Sequence, residues 1–425
     1  MLKSRVHERV FNKKNHLILL IISVRSIRSM KYLFLIILFG FVQFAFAQED
    51  INNNSAIFLT KFKFKLLSGG VIIINAQIEN HPDTLNFIFD TGNSGISLDS
   101  ITASNLKLNV ESSNTFIKGI SGIRKAYFVK NYSLQLPDLK VENLNFHVSD
   151  YEIISSTYGI KIHGIIGNSF FRQYIVYIDY DSQEISIYKP GEFNYPKRGF
   201  MMNPVFTSYP TYDVFFIENF KLNVPSILDI GAGVNFIAVS KLNKGKPFLK
   251  KSKKYYDTYV GGLGGKKTMQ LTILDKIKIG PYIFRKIPIL QFEDDYNLLN
   301  YPVLGGILGN DLLRRFNIVI NYPSKVIHLS PNQFFNDYFD YSYTGMSVYL
   351  INNLVTIEDI IPNSPAAKAG LLSGDLLIAL NRQLVTSLDV YKKISAISAG
   401  KTKITIYREG RYLEKNISII NIKQN

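Results

Sequence analysis

Short hydrophobic runs separated by polar turns fill the chain between about residues 60 and 330. The runs VIIINAQI, NFIFD, IVYIDY and ISIYKP are rich in Ile, Val, Phe and Tyr, and clusters of Gly, Asn, Asp and Pro stand between them. Runs of this length and composition are typical of β-strands. Helical periodicity appears only in short stretches such as GNSFFRQY and GNDLLRRF. The pattern therefore predicts an all-β region.

The pattern changes after about residue 340, where strand-like runs alternate with helical segments. GMSVYLINNLVTIEDIIPNSPAAKAGLLSGDLLIALNRQLV leads into SLDVYKKISAISAG and then into a hairpin, KTKITIYREGRYLEKNISI. We expect a short helix over residues 365–369 and a longer one from about 388 to 396. Strands mixed with helices in this way predict a separate α+β module over residues 340–425.

The β-rich region contains an internal repeat. Residues 164–188 align without gaps to residues 306–330, sharing Gly, Ile, Gly, Asn, Arg, Ile, Tyr, Ser and Ile. Each copy follows an apolar strand that ends in an acidic turn, FIFDTGNSGIS in the first and SILDIGAGVNFIAVS in the second. Asp90 lies 77 residues before Gly167, and Asp229 lies 80 residues before Gly309. The conserved order predicts two halves that descend from one unit.

Each half also carries a glycine-rich turn between its acidic turn and its repeated segment. GISG begins 29 residues after Asp90, and GGLGG begins 32 residues after Asp229. One Asp-x-Gly sequence is ordinary turn chemistry. Two of them, each ending an apolar strand in a duplicated unit, instead indicate a pair of carboxylates. The alternative is a β-rich protein in which the two similar acidic turns occur by chance.

These features resemble the aspartic peptidases of the pepsin and retropepsin type over about residues 60–330. The resemblance implies a mainly β, bilobal pair of barrels, with a first lobe over residues 56–195 and a second over residues 200–335. It implies that Asp90 and Asp229 share one proton and activate a water that attacks a peptide bond, without a metal or cofactor. It also implies supporting loops at Thr91, Gly92, Ile230, Gly231, Gly167 and Gly309, and flaps at Gly119, Ser121, Gly122, Gly261, Gly262 and Gly264.

Ile230 departs from the family pattern, which has Thr or Ser at this position. The resemblance assigns that hydroxyl a hydrogen bond across the two acidic loops, and one such bond is worth on the order of 1 kcal/mol. Its loss weakens the preorganisation of the pair without abolishing it. An alternative therefore stays open, in which the chain is a catalytically inactive peptide-binding or chaperone-like protein on the same scaffold.

The C-terminal module resembles a PDZ domain of the kind attached to bacterial proteases. The stretch IEDIIPNSPAAKAGLLSGDLLIALN, at residues 357–381, carries this resemblance. It implies a carboxylate-binding loop at Gly345, Met346, Ser347 and Val348, and hence a peptide C-terminus as a ligand. A purely structural module is the alternative.

Residues 30–47, MKYLFLIILFGFVQFAFA, have the layout of a signal peptide. Lys31 precedes an apolar run, and the small-x-small triplet AFA precedes the polar QED. We expect cleavage before Gln48 and export to the periplasm, the outer surface or the medium. Residues 1–29 precede an internal Met30, so we interpret residues 1–47 as an over-extended start plus a signal peptide. An uncleaved membrane anchor is the alternative, but the apolar run is short for one.

Composition narrows the chemistry further. The 425 residues include no Cys, and the six His are scattered without ligand spacing, so we expect neither a thiolate nor a His-rich metal site. The net charge of +16 falls to about +9 once residues 1–47 are removed. A lysine-rich run with aromatics at residues 241–257 suggests nucleic-acid binding, but an exported chain seldom meets nucleic acid. The expected partner is a peptide or protein, with no nucleic acid and no stable membrane insertion after cleavage.

Overall fold

The computed structural model describes residues 55–424 apart from residues 219, 241, 243–247 and 301–302. Residues 56–425 form one compact unit. The predicted signal segment lies outside the described residues. None of the described helices is long and apolar enough to span a lipid bilayer.

The described residues are mainly β-strand, as the sequence predicted. The first strands are β1 (Ile57–Lys63), β2 (Lys65–Leu66), β3 (Ile72–Ile78), β4 (His81–Phe89), β5 (Ile96–Asp99), β6 (Glu111–Gly119), β7 (Gly122–Leu136), β8 (Leu139–Ser149), β9 (Gly164–Ile166), β10 (Ile175–Asp179) and β11 (Glu184–Lys189). They are followed by β12 (Phe200–Met202), β13 (Val205–Phe206), β14 (Pro210–Ile217), β15 (Lys221–Asp229), β16 (Phe236–Val239), β17 (Tyr256–Gly262), β18 (Gly265–Ile279), β19 (Tyr282–Phe292), β20 (Gly306–Gly309), β21 (Phe316–Asn321) and β22 (Val326–Pro331). The last are β23 (Ser342–Tyr343), β24 (Met346–Ile351), β25 (Leu354–Ile360), β26 (Leu376–Leu380), β27 (Gln383–Leu384), β28 (Gly400–Arg408) and β29 (Arg411–Asn421).

The described helices are short. They are α1 (Ser100–Asn105), α2 (Glu152–Tyr158), α3 (Asn168–Phe171), α4 (Asn310–Leu313), α5 (Pro365–Lys368) and α6 (Leu388–Ile397), with a 3₁₀ turn at Ser68–Gly70. Helices α3 to α6 lie where the sequence indicated helical character. The sequence pattern did not single out α1 or α2, because each is too short to show a helical period.

Two eight-stranded sheets have the same strand order. The first runs β2-β3-β4-β9-β5-β8-β7-β6, and the second runs β13-β14-β15-β20-β16-β19-β18-β17. In each sheet the strand before the acidic turn pairs in parallel with a short central strand, β4 with β9 and β15 with β20. The two acidic turns therefore occupy equivalent positions. Common descent of the two halves stays a prediction.

A six-stranded sheet joins the two halves. Its order is β1-β11-β10-β21-β22-β12, so three strands of the first half lie beside three strands of the second half in one continuous sheet. The halves meet where β10 pairs with β21, from Ile175 opposite Asn321 to Ile178 opposite Ile318. One continuous hydrophobic core runs beneath all three sheets. This shared sheet fixes the position of one half relative to the other.

Residues after 340 form the predicted α+β module with a core of its own. Its sheet has the order β23-β29-β28-β26-β25-β24, and β27 pairs with β26. Ser364 caps α5 by accepting a hydrogen bond from Ala367 N, and Ser387 caps α6 by accepting one from Val390 N. Both helices pack on a cluster of buried aliphatic residues that includes Ile357, Leu380, Ile404 and Ile406. Strand β24 lies at the edge of this sheet.

The C-terminal module packs directly against the two preceding halves. The Tyr343 hydroxyl donates a hydrogen bond to Asp257 O at 2.9 Å. Lys266 of β18 forms an ion pair of 2.9 Å with Asp359 of β25. A side chain on Gly159, just after α2, would meet Leu388 Cδ1 at 3.3 Å. The module is therefore held beside the second hairpin and the helix α2.

Candidate active site

The two acidic turns hold their carboxyl groups in the same way. In the first, Asp90 Oδ1 accepts a hydrogen bond of 2.6 Å from Gly92 N. In the second, Asp229 Oδ1 accepts bonds from Gly231 N at 2.8 Å and Ala232 N at 2.9 Å. A carboxylate that bonds the backbone two residues ahead is typical of Asx-turns. Each turn thus positions its own carboxyl group through backbone amides.

The carboxyl groups of Asp90 and Asp229 meet and share a hydrogen bond. Each also faces a glycine of the opposite turn. A methyl group on Gly92 would lie 2.7 Å from Asp229 Oδ1, and one on Gly231 would lie 2.6 Å from Asp90 Oδ2. Neither position has room for any side chain. This explains why both turns need glycine two residues after the aspartate.

Burial and mutual repulsion make the two carboxyl groups titrate together. Removal from water, then the charge of Asp229 and the hydrogen bond to it, raise the pKa of Asp90 well above its usual range. Burial also raises the pKa of Asp229, but hydrogen bonds from Asp90, Gly231 and Ala232 oppose the effect. Two carboxylates at contact cannot both ionise, so the pair retains one proton. Backbone hydrogen bonds from Gly92 and Asn93 likewise oppose the rise in the pKa of Asp90, so the proton belongs to the pair as a unit.

The hydrogen bonding across the two loops is one-sided. The Thr91 hydroxyl donates to Leu228 O at 2.6 Å and accepts from Ile230 N at 3.1 Å. Ile230 has no hydroxyl with which to return these bonds to the first loop. Its side chain is only 2% exposed and joins the hydrophobic core between the halves. The second loop therefore contributes apolar packing where the family pattern would supply a hydrogen bond.

Two buried asparagines support the loops from below. Asn168 Nδ2 donates to Thr91 O at 2.7 Å, and the Tyr322 hydroxyl donates to Asn168 Oδ1. In the other half the Tyr180 hydroxyl donates to Asn310 Oδ1 at 2.9 Å. Each asparagine is thus held by a tyrosine of the opposite half. The signal in the sequence that identifies this pair is its position, because each asparagine directly follows the repeated glycine.

Gly167 and Gly309 precede these asparagines and pack against the acidic loops. A methyl group on Gly167 would overlap Asn93 O and Gly95 O, and one on Gly309 would meet Ala232 O at 2.8 Å. The loop carbonyl oxygens occupy the space that a side chain would need. The structure therefore brings both predicted glycines to the loops.

Two β-hairpins cover the paired carboxyl groups. The first turns between β6 and β7 at Gly119 to Gly122, and the second turns between β17 and β18 at Gly262 to Gly265. Their tips touch, because Arg124 Nη2 donates to Gly264 O at 3.2 Å. The residues predicted as flaps all lie at or beside these tips: Gly119, Ser121, Gly122, Gly261, Gly262 and Gly264.

A cavity of about 680 Å³ lies between the carboxyl groups and the hairpins. Its lining includes His147, Tyr158 and Tyr209, to which the sequence analysis gave no role. Burial lowers the pKa of His147 and raises the pKa values of Tyr158 and Tyr209. All three side chains are therefore neutral near neutral pH. Nothing in the sequence pattern marked them, since each comes from outside the repeated motifs.

Comparison with known families agrees with the geometry. Residues 74–170 match the family described as Aspartyl protease, and residues 356–407 match the PDZ domain family. This chain carries an aspartyl protease domain and a C-terminal PDZ domain. No curated protein matches the chain. The aspartyl protease match includes Asp90, the first hairpin and Gly167, and it ends before Asp229.

The PDZ domain contributes to the same cavity as the aspartyl protease domain. Met346, Ser347 and Val348 line the cavity together with Lys392. Only Gly345 lies outside β24, so the predicted carboxylate-binding loop is shorter than the sequence suggested. Gly345 has a φ of +72°, and a methyl group there would meet the Ser364 hydroxyl oxygen at 2.6 Å. Glycine is therefore required at the start of this edge strand.

No cluster suited to a metal ion occurs among the described residues, where a cluster means three or more His, Asp or Glu side chains.

Proposed function

We propose that this chain is an exported aspartic endopeptidase that hydrolyses peptide bonds with Asp90, Asp229 and an activated water. One observation carries the proposal. Two carboxyl groups from equivalent turns share a hydrogen bond on the floor of a cavity that two hairpins cover. Coupled carboxyl groups with raised pKa values in a cleft are typical of acid-base catalysis.

In the proposed reaction each acid has one role. Asp229, as the carboxylate, takes a proton from a water whose oxygen attacks the carbonyl carbon of the peptide. Asp90 donates its proton to the carbonyl oxygen, which gives a neutral tetrahedral diol. The amide nitrogen then receives the proton held by Asp229, while a diol hydroxyl returns its proton to Asp90. The C–N bond breaks, and the pair regains its single shared proton.

Other residues keep this arrangement in place. Thr91 and Asn168 tie the first loop to the second half and to the core beneath it. The hairpin tips close over the substrate and exclude water, which strengthens the interactions of the developing charges. The PDZ domain binds free peptide ends and thereby raises the local concentration of substrate.

A digestion experiment tests the proposal. The purified chain from Gln48 onward is incubated with a denatured protein from acidic to neutral pH, with and without pepstatin. We expect fragments that pepstatin suppresses and that the Asp90→Asn variant does not produce. Fragments that appear equally with the variant would refute the proposed site.

A second candidate function is peptide binding without hydrolysis, as in a chaperone-like protein. Ile230 favours it, because the loop bonding that would hold both carboxyl groups in one plane is one-sided. In the same experiment this candidate predicts that a folded chain binds the denatured protein but releases no fragments at any pH.

A further inference from the structure

The two hairpins that cover the carboxyl pair are equivalent in the fold but differ in their surroundings. Counted along the strand ladders from the glycine pairs at the two tips, Ile123 of the first hairpin corresponds to Lys266 of the second, and Lys125 corresponds to Thr268. Ile123 is exposed, whereas Lys266 is half-buried. The difference arises because the PDZ domain lies against the second hairpin.

Lys266 attaches the second hairpin to the PDZ domain close to the hairpin tip. Its Nζ lies 2.9 Å from Asp359 Oδ2 and 3.7 Å from Glu358 Oε1, both on β25. The same ammonium group lies 4.8 Å from the centre of the Tyr349 ring on β24, a distance at which a cation and an aromatic face attract. One lysine thus contacts two strands of the PDZ domain.

Further contacts hold the second hairpin at its base and along its side. The Tyr343 hydroxyl donates a hydrogen bond to Asp257 O at 2.9 Å, and the Tyr343 ring packs against that of Tyr256 with centroids 4.8 Å apart. Tyr343 is buried, so water competes little for this bond. Along the side, a methyl group on Gly261 would meet Ile153 Cγ2 of helix α2 at 3.0 Å. The second hairpin is therefore fixed at its tip, its base and one side.

The first hairpin has a different environment. Phe116 and Ile123, near its tip, are 67% and 47% exposed. Among the described residues, no ion pair joins this hairpin to the PDZ domain. At the tip, Arg124 donates its hydrogen bond to Gly264 O of the second hairpin. A segment with exposed side chains and few outside contacts opens at a lower free energy than one that is anchored.

We propose that Lys266 and Tyr343 are positioning residues that hold the second hairpin over the carboxyl pair, so that a substrate enters by movement of the first hairpin alone. The proposal rests on the proposed peptidase function and deepens it. The second hairpin and residues 346–349 of the PDZ domain line the same cavity, so together they form one fixed wall. A peptide binds against this wall before the first hairpin closes over it.

The first test measures the positions of the hairpins and needs no turnover. The chain contains no Cys, so an introduced pair of Cys residues carries two spin labels at known sites. One pair combines Lys125→Cys with Lys189→Cys, and the other combines Thr268→Cys with Lys189→Cys. All three positions are exposed, and Lys189 lies on β11 of the shared sheet. We expect pulsed electron resonance to give a broad distribution of distances for the first pair and a narrow one for the second. Equal widths overturn the proposal.

Matched variants assign the narrow distribution to the attachment. Lys266→Met combined with Tyr343→Phe removes the charge and the hydroxyl but keeps the apolar bulk, so the Thr268 distribution should broaden to the width of the other pair. If this double variant does not fold, Lys266→Met alone must broaden it. The control is Lys267→Met, which breaks an ion pair of 2.6 Å with Asp295 of the same half. A Thr268 distribution that stays narrow without the attachment, or that broadens equally in Lys267→Met, contradicts the assignment.

The second test separates positioning from catalysis by steady-state kinetics with one peptide substrate. A hairpin that contacts the substrate but leaves the carboxyl pair unchanged affects KM more than kcat. Lys266→Met should therefore raise KM about threefold, as loss of one partly exposed ion pair predicts, and leave the pH profile unchanged. Lys266→Arg should restore KM. A fall in kcat at constant KM overturns the positioning role.

The two tests fail independently of each other. If the wild-type chain cleaves no peptide and no denatured protein, the peptidase proposal fails, and the label distances still report on the attachment. If the chain cleaves peptides while the two distance distributions are equally wide, the attachment of the second hairpin is refuted and the peptidase proposal stands.

Discussion

Gly92 faces the carboxyl group of Asp229 so closely that a methyl group on its α-carbon would lie 2.7 Å from Oδ1 and nearer still to Oδ2. The Gly92→Ala variant should therefore push the two carboxyl groups apart. We expect hydrolysis to fall at least about a hundredfold, since acid-base catalysis of this kind contributes that much. Steady-state kinetics with one peptide substrate measures the loss.

The control for this variant is Ala at Gly122, where a methyl group would meet nothing closer than Gly264 O at 3.8 Å. Thermal unfolding of both variants separates a local clash from a general loss of fold. Near-normal hydrolysis by Gly92→Ala would show that the carboxyl groups have more freedom than their packing indicates.

The raised pKa of Asp90 predicts how stability depends on pH. Because its pKa is higher in the folded chain than in the unfolded chain, Asp90 contributes its full stability only below the unfolded value of 3.8. That contribution is lost as the pH rises through the folded pKa. The Asp90→Asn variant lacks this dependence, so it should become the more stable protein as the pH rises.

Melting temperatures of the wild-type chain and Asp90→Asn, compared from about pH 4 to about pH 7, provide the measurement. Groups away from the carboxyl pair contribute equally to both proteins and cancel, so the difference reports on Asp90 together with its partner Asp229. A difference in melting temperature that stays constant over this range would mean that Asp90 ionises as an ordinary exposed carboxylate does.

Ile230 provides a test of the one-sided loop bonding. The Ile230→Thr variant supplies the missing hydroxyl, which can bond back to the first loop. We expect hydrolysis to be equal or higher, while the free energy of unfolding falls by about 1 kcal/mol because apolar burial is lost. Ile230→Val is the matched control, since it loses similar bulk but gains no hydroxyl.

Kinetics and denaturant unfolding of the two variants separate these effects. If Ile230→Thr is folded and loses most of its activity while Ile230→Val does not, the site is packed for an apolar side chain. The family hydroxyl would then be incompatible with this loop.

Much of the fold and of the carboxyl pair followed from local sequence. The sequence identified the turns at Asp90 and Asp229 as a pair, because an apolar strand, an acidic turn and later glycines occur in the same order and at similar spacing in both halves. The hairpin tips near Gly119 and Gly262 were marked by the same repeat. These features depend on residues adjacent in sequence, where strand and turn chemistry decide the structure.

The walls of the cavity did not follow from the sequence. Tyr158 reaches the site on a short helix, and Lys392 reaches it on a helix of another domain. Their roles depend on how the PDZ domain packs against Gly159 and Lys266, and no periodicity encodes such a contact. Sequence reasoning therefore predicted two separate binding sites where the structure has one cavity.

Export remains open to a direct test. The AFA triplet before Gln48 predicts removal of residues 1–47. N-terminal sequencing of the protein recovered from the producing cell should begin at Gln48. A mature product that begins at Met30 or Met1 would show that the segment is retained.

The central claim is that Asp90 and Asp229 of one chain form a single catalytic unit. The most direct measurement is kcat for Asp90→Asn, Asp229→Asn and the double variant, each confirmed as folded and monomeric. We predict that either single change lowers kcat at least about a hundredfold and that the double change lowers it little further, because residues that act as a unit are not additive. If Asp229→Asn keeps near-normal kcat while Asp90→Asn is inactive, the pair within one chain is refuted, and the site would have to form between the first halves of two chains.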